Sequence, residues 1–147
     1  MHAKKWLVLG LLFAFYGLGL AQKHLARSIK PKPPADAKLT AAQSIQRARS
    51  SAIGKDLRNA VLENTDLSGL NLIMAKMQNA NLKRAVLSSA QMCRADLTGA
   101  NLEDAILKEA DLEGATLINA KLKGANLTKA NLRGAFLMGS DLTKAVL

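Results

Sequence analysis

From Leu57 to Leu147 every fifth residue is leucine or methionine, 19 positions without a gap, with methionine only at Met77 and Met92. A period of five fits neither regular element. On an α-helix five residues advance about 500°, so successive leucines would scatter around the axis. On a straight strand five steps put successive leucines on opposite faces. Two residues before each leucine, from Ala60 on, stands alanine in 15 of 18 cases, the exceptions being Thr65, Leu70 and Ser140. Residues two apart on an extended segment share a side, so alanine and leucine point the same way. The chain must then turn once per repeat. Two residues after the leucine, glycine or asparagine occupies ten of 18 positions, and these residues best tolerate positive φ. Short extended pieces joined by tight turns, one side always inward, make a closed polygonal coil. The residue just before the leucine, an outward position, is Asp or Asn in ten of 19 repeats.

The tandem unit A-[DN]-L-x-x resembles the pentapeptide-repeat family, and the resemblance covers 57–147 completely. It implies an all-β fold: a right-handed quadrilateral β-helix with four repeats per coil, leucine and alanine inside. Nineteen units give just under five coils, a rod of roughly 23 Å at strand spacing. The inward ladder is therefore read as core, each leucine worth roughly 1.5–3 kcal/mol gross on burial.

The first third of the chain is different. Residues 1–21 read as a signal peptide: Lys4 and Lys5 lead an uncharged, mostly apolar run from Trp6 to Leu20, followed by small residues at Gly19 and Ala21. Cleavage is expected between Ala21 and Gln22. The rival reading is an uncleaved membrane anchor, although the run is shorter than the ~20 residues that span a bilayer. Either way the repeats are expected in an exported, extracytoplasmic compartment. Residues 22–38 form a basic linker in which Pro31, Pro33 and Pro34 favour an extended, solvated chain. Residues 39–55 are expected to form a short capping helix and entry turn ahead of the solenoid at 56–147. Thr40 and Gln43 make a capping-box pattern, Leu39, Ala42, Ile45 and Ala48 an apolar stripe, and Gly54 a stop, so the spacing predicts a helix over Thr40–Ala52. Such a helix would cover the open start of the coil, whose edge otherwise invites aggregation.

The charge follows the same division. The formal net charge is +10. Residues 1–55 hold ten Lys/Arg against one acid, whereas 56–147 hold eleven against ten. A high isoelectric point that would suggest nucleic-acid or anionic-membrane binding thus belongs to a basic leader before a nearly neutral body. Phe136 is the one aromatic residue after Tyr16, so base stacking has almost nothing to use and no specific nucleic-acid binding is expected.

With twenty residues per coil, side chains stack in columns. Glu63, Lys83, Glu103 and Lys123 alternate in sign beside Asn64, Arg84 and Asp104, a solvated face of cross-strand pairs. Val86, Ile106 and Val146 stand where the repeat prefers Asp or Asn, with Lys108 and Lys129 beside them. Another face carries Thr116, Ile118, Phe136 and Met138; the last carries Ile73, Met74, Cys93 and Arg94. The candidate interaction surface is therefore Ile118, Phe136, Met138, Val146, Val86 and Ile106.

Catalytic machinery, a cofactor and a metal are not expected. His24 in the linker is no base in a pocket, and neither CxxC, HExxH, GxSxG nor a phosphate-binding glycine loop occurs. Glu109, Asp111 and Glu113 around one corner read as charges on a solvated turn. The favoured function is a non-catalytic extracytoplasmic interaction or scaffold module, its partner an unknown protein or envelope component. Membrane association is expected only through an uncleaved signal segment. One alternative is a polybasic arm binding anionic envelope components. The resemblance suggests another, since some family members mimic DNA and protect gyrase, but a net +1 over the repeats and a secretion signal disfavour it. Leu147 is an inward ladder position with no helix after it, so a homodimer through the C-terminal coil is also expected.

Overall fold

The computed structural model describes residues 40–50 and 53–147, all within one compact unit, Asp36–Leu147. The expected signal segment, the linker and Leu39 lie outside these residues.

From Asp56 onward the backbone pairs in parallel with itself twenty residues later, beginning with Asp56–Lys76 and ending with Asn126–Val146. Repeats with a coil on both sides make the same four bonds. Leu57 N–H donates to Lys76 O, Asn59 N–H to Gln78 O and Lys76 N–H to Lys55 O, and the turn closes through Ala60 N–H to Leu57 O. Four five-residue sides per coil follow, so each coil has four faces. The first runs up Asp56, Lys76, Asp96, Thr116 and Phe136, and the second up Val61, Asn81, Asn101, Lys121 and Asp141. The third runs up Asp66, Val86, Ile106, Asn126 and Val146, and the fourth up Asn71, Gln91, Asp111 and Asn131.

Inside, the ladder is closed. Every ladder Leu or Met from Leu57 to Leu127 is buried, with alanines from Ala60 to Ala125 filling the gaps between. Leu70 is partly buried against this core, and Leu132, Leu137 and Leu142 in the final coils are half-buried. The turn residue two after each ladder position has positive φ in all repeats from Asn59 to Lys144. Eight of these are neither glycine nor asparagine: Met74, Arg84, Ser89, Arg94, Asp104, Glu109, Lys129 and Lys144. At those eight, pairing with the neighbouring coils overrides the steric cost of the left-handed region.

The Asp and Asn residues that precede the ladder positions have a common role. All ten accept, through a side-chain oxygen, the N–H two residues on, at 2.9–3.3 Å. This Asx bond meets a turn N–H and prepares the corner. Nine repeats lack it because Val61, Lys76, Val86, Gln91, Ile106, Thr116, Lys121, Phe136 or Val146 stands there.

The single helix among the described residues, α1, spans Ala41–Ala48. Thr40 Oγ1 accepts Gln43 N–H, and Gln43 Oε1 accepts Thr40 N–H at 3.1 Å, closing the capping box. The helix is shorter than the stretch to Ala52 expected from sequence, with Arg49 as its C-cap. Its inward side also differs: Ser44 and Ala48 are buried, Ile45 is half-buried and Ala42 is exposed. The reason is polar. The first coil has no coil beneath it, so its edge groups need other partners. Ser44 Oγ accepts Val61 N–H at 3.0 Å. Arg47 Nη1 donates to Asp56 O at 3.3 Å, and Lys55 Nζ donates to Asn71 O. Lys55 fills the inward slot that alanine holds in later repeats; it is only 6% exposed, and burial pushes its pKa down.

Candidate functional site

The six candidate surface residues divide between two faces. Thr116 pairs with Phe136 on the first face, and Asn119 N–H donates to Met138 O, which sets Ile118 in register with Met138. Phe136 is 60% and Met138 73% exposed, whereas Ile118 is half-buried. Val86, Ile106, Asn126 and Val146 pair in succession up the third face, on the other side of the coil. Val86 is half-buried, and Asn126 interrupts the strip between Ile106 and Val146 while its Oδ1 accepts Thr128 N–H. The structure therefore keeps Phe136 and Met138 together on one turn, while on the third face Val86 stacks beside Ile106 and Asn126 separates Val146 from them.

Phe136 takes a slot where ten repeats place an Asx cap, so Met138 N–H goes without that bond. A hydrogen bond of this kind contributes about 0.5–1.5 kcal/mol. The turn loses it and exposes two large apolar side chains. Met74, on the fourth face, is 54% exposed in a repeat that keeps its Asx bond, Asn71 Oδ1 accepting Ile73 N–H at 3.1 Å.

The charged column on the second face pairs only in part: Lys83 meets Glu103, Glu63 meets Arg84, and Lys123 forms no ion pair among the described residues. Lys83 Nζ lies 2.8 Å from Glu103 Oε2, and Arg84 lies 3.8 Å from Glu63. The hydrogen bond to Lys83, then its charge, holds the Glu103 carboxyl below the usual range, and the same bond raises Lys83. At the start of the first face Arg58 pairs with Asp56 at 2.8 Å. That hydrogen bond is the main reason the Asp56 pKa falls to about 2.

Among the described residues no three His, Cys, Asp or Glu side chains converge as a metal would require. Around the corner with Glu109, Asp111 Oδ1 and Glu113 Oε2 both accept from Asn131 Nδ2, at 3.0 and 3.2 Å. Cys93 is a half-buried free thiol. Among the described residues no helix is long and apolar enough to cross a membrane.

A self-stacking coil with a filled core and its variable residues on four flat outer faces defines a tandem-repeat β-solenoid. The repeats identify which one: pentapeptide repeats match in eight copies across 53–84, 75–114 and 105–143, so the chain belongs to the pentapeptide-repeat family. Members of this family fold as right-handed quadrilateral β-helices and are in general structural or interaction proteins. The chain is similar to a pentapeptide repeat protein from the Arabidopsis thaliana thylakoid lumen, with 30% identity over 74% of this chain and 70% of that one, TM-score 0.49. It is similar to Rfr23 from the cyanobacterium Cyanothece 51142, with 40% identity over 64% of this chain and 61% of that one, TM-score 0.35. A pentapeptide repeat protein from Nostoc PCC 7120 is 34% identical over 65% of this chain and 74% of that one, TM-score 0.37. Comparison with curated proteins gives no match.

Proposed function

We propose that the protein is a non-catalytic, exported interaction module whose rigid coil presents the Phe136–Met138 edge of its first face to a protein partner. The observation that carries this reading is the pair itself: two exposed apolar side chains on one turn that lacks the Asx bond. Neighbouring exposed apolar side chains on a folded surface mark a contact site more than single scattered ones do. Export is supported by the leader, Lys4 and Lys5 before the apolar run and Gly19-x-Ala21 after it.

A photo-crosslinking amino acid at position 138, against one at position 83 on the ion-paired face, tests the surface in extracts of the source. Adducts specific to position 138 and lost with Phe136→Glu support it. Equal adducts from both positions, or none at 138, remove it. N-terminal sequencing tests export separately: Gln22 is the expected mature residue, and a soluble cytoplasmic pool starting at Met1 overturns it.

A further inference from the structure

The coils differ in charge along the rod. Residues 56–115 carry six basic and nine acidic side chains, a net of −3, while 116–147 carry five basic and one acidic, a net of +4. The two ends also treat their cations differently. In the first three coils four of the six cations, Arg58, Lys83, Arg84 and Lys108, face a carboxylate within ion-pair distance, whereas among the described residues Lys76 and Arg94 do not. Beyond them Lys121, Lys123, Arg133 and Lys144 are exposed and form no ion pair among the described residues.

These four cations lie on repeats that neighbour the apolar pair along the chain or one coil back. Arg133 lies on the turn just before Phe136. Lys144 projects from the next face of the same coil, and Lys121 and Lys123 from that face one coil back. The lone acid at this end, Asp141, accepts Thr143 N–H at 2.9 Å, and that side of the carboxylate is thereby engaged.

We propose that this end binds an acidic polypeptide segment anchored by apolar side chains. The inference rests on the interaction reading above and adds the partner's chemistry. Phe136 and Met138 supply the desolvated centre, and the flanking cations supply a rim complementary to carboxylates, which sets specificity and association rate. Size selects a segment over a membrane. The cationic stretch covers less than two coils, about 10 Å at strand spacing, which an extended chain crosses in about three residues. A bilayer lying along the first face would next meet Asp96, Lys76 and the Asp56–Arg58 pair, which carry no net charge and offer it no further attraction.

The test is fluorescence anisotropy of the full chain with a labelled peptide alternating glutamate and leucine. Binding is expected, weakening with salt. Phe136→Ala, and the triple change Lys121→Gln, Lys123→Gln, Lys144→Gln, should each weaken it about tenfold, or 1.4 kcal/mol. A charge-matched triple away from this end, Lys76→Gln, Arg94→Gln, Lys108→Gln, should change it less than about twofold, below 0.5 kcal/mol. All variants sit at outward positions, and their melting curves confirm folding. Absence of peptide binding, or equal loss in the matched triple, overturns the proposal. So does a preference for phosphatidylglycerol vesicles that the patch variants abolish. Sedimentation showing a Phe136-dependent dimer that the peptide does not disturb assigns the patch to a second copy. If the position-138 crosslink persists while the peptide fails, the interaction surface stands and only its acidic partner falls.

Discussion

Asn79 leans over Gly99 in the next coil, its Oδ1 only 2.6 Å from where a glycine Cβ would sit. Asp104 over Gly124 and Asn119 over Gly139 repeat the arrangement. Gly69, with the same left-handed backbone, has nothing within 4 Å of that point. Positive φ explains a preference for glycine at all four, but at only three must an overlying side-chain oxygen also shift to admit a methyl.

Gly69→Ala should therefore cost about 1–2 kcal/mol, the steric cost of a Cβ in the left-handed region. Gly99→Ala should cost more, because Asn79 must move as well. Adding Asn79→Ala should return part of the difference, a coupling measured by a double-mutant cycle in urea. Equal losses for the two glycine variants would show that backbone strain alone sets the preference.

The ladder and the charged face should differ sharply. Leu102 is fully buried mid-rod, so Leu102→Ala should cost about 2–5 kcal/mol. Lys83→Ala removes an exposed pair and should stay within about 0.5 kcal/mol. Denaturant midpoints measure both; coincident midpoints would contradict the inside–outside assignment.

The start of the coil depends on a serine hydroxyl. Ser44→Ala leaves the part-buried Val61 N–H without its partner, a loss of about 1 kcal/mol. Ala42→Ser, on the exposed side of α1, should change little. Amide exchange at Val61 should rise in the first variant and not in the second. Unchanged protection at Val61 would mean that α1 does not seal the edge.

Acid should act on the first coil. Asp56 has its folded pKa lowered from 3.8 to about 2, with Arg58 as the main cause. A depressed carboxylate stabilises the fold above its unfolded pKa, and that contribution is lost as pH falls through the folded value. Stability should thus decline between about pH 4 and pH 2, less steeply in Asp56→Asn. Because this pair is part-exposed, the effect is small and shrinks with salt. Identical acid slopes for the two proteins would show that the pair contributes nothing.

The period of five determined most of the fold by itself. It fixed which residues face inward, where the chain turns and which positions need positive φ, because all three follow from local geometry repeated without interruption. It also placed Phe136 and Met138 on the outside, since positions flanking a ladder residue cannot point inward. What lies twenty residues away is a tertiary matter, and that decided the rest. An apolar stripe in α1 pointed to Ala42, but the unmet N–H of Val61 selected Ser44. Lys55 stands two residues before Leu57, so its inward position was legible in the spacing; its partner, Asn71 O, was not. The ten Asp and Asn residues before the ladder positions were countable, and since each bond reaches only two residues along the chain, it too belongs to local geometry. The cations around Phe136 are scattered between Lys121 and Lys144 in sequence, and only the stacking of coils brings them to one end beside it.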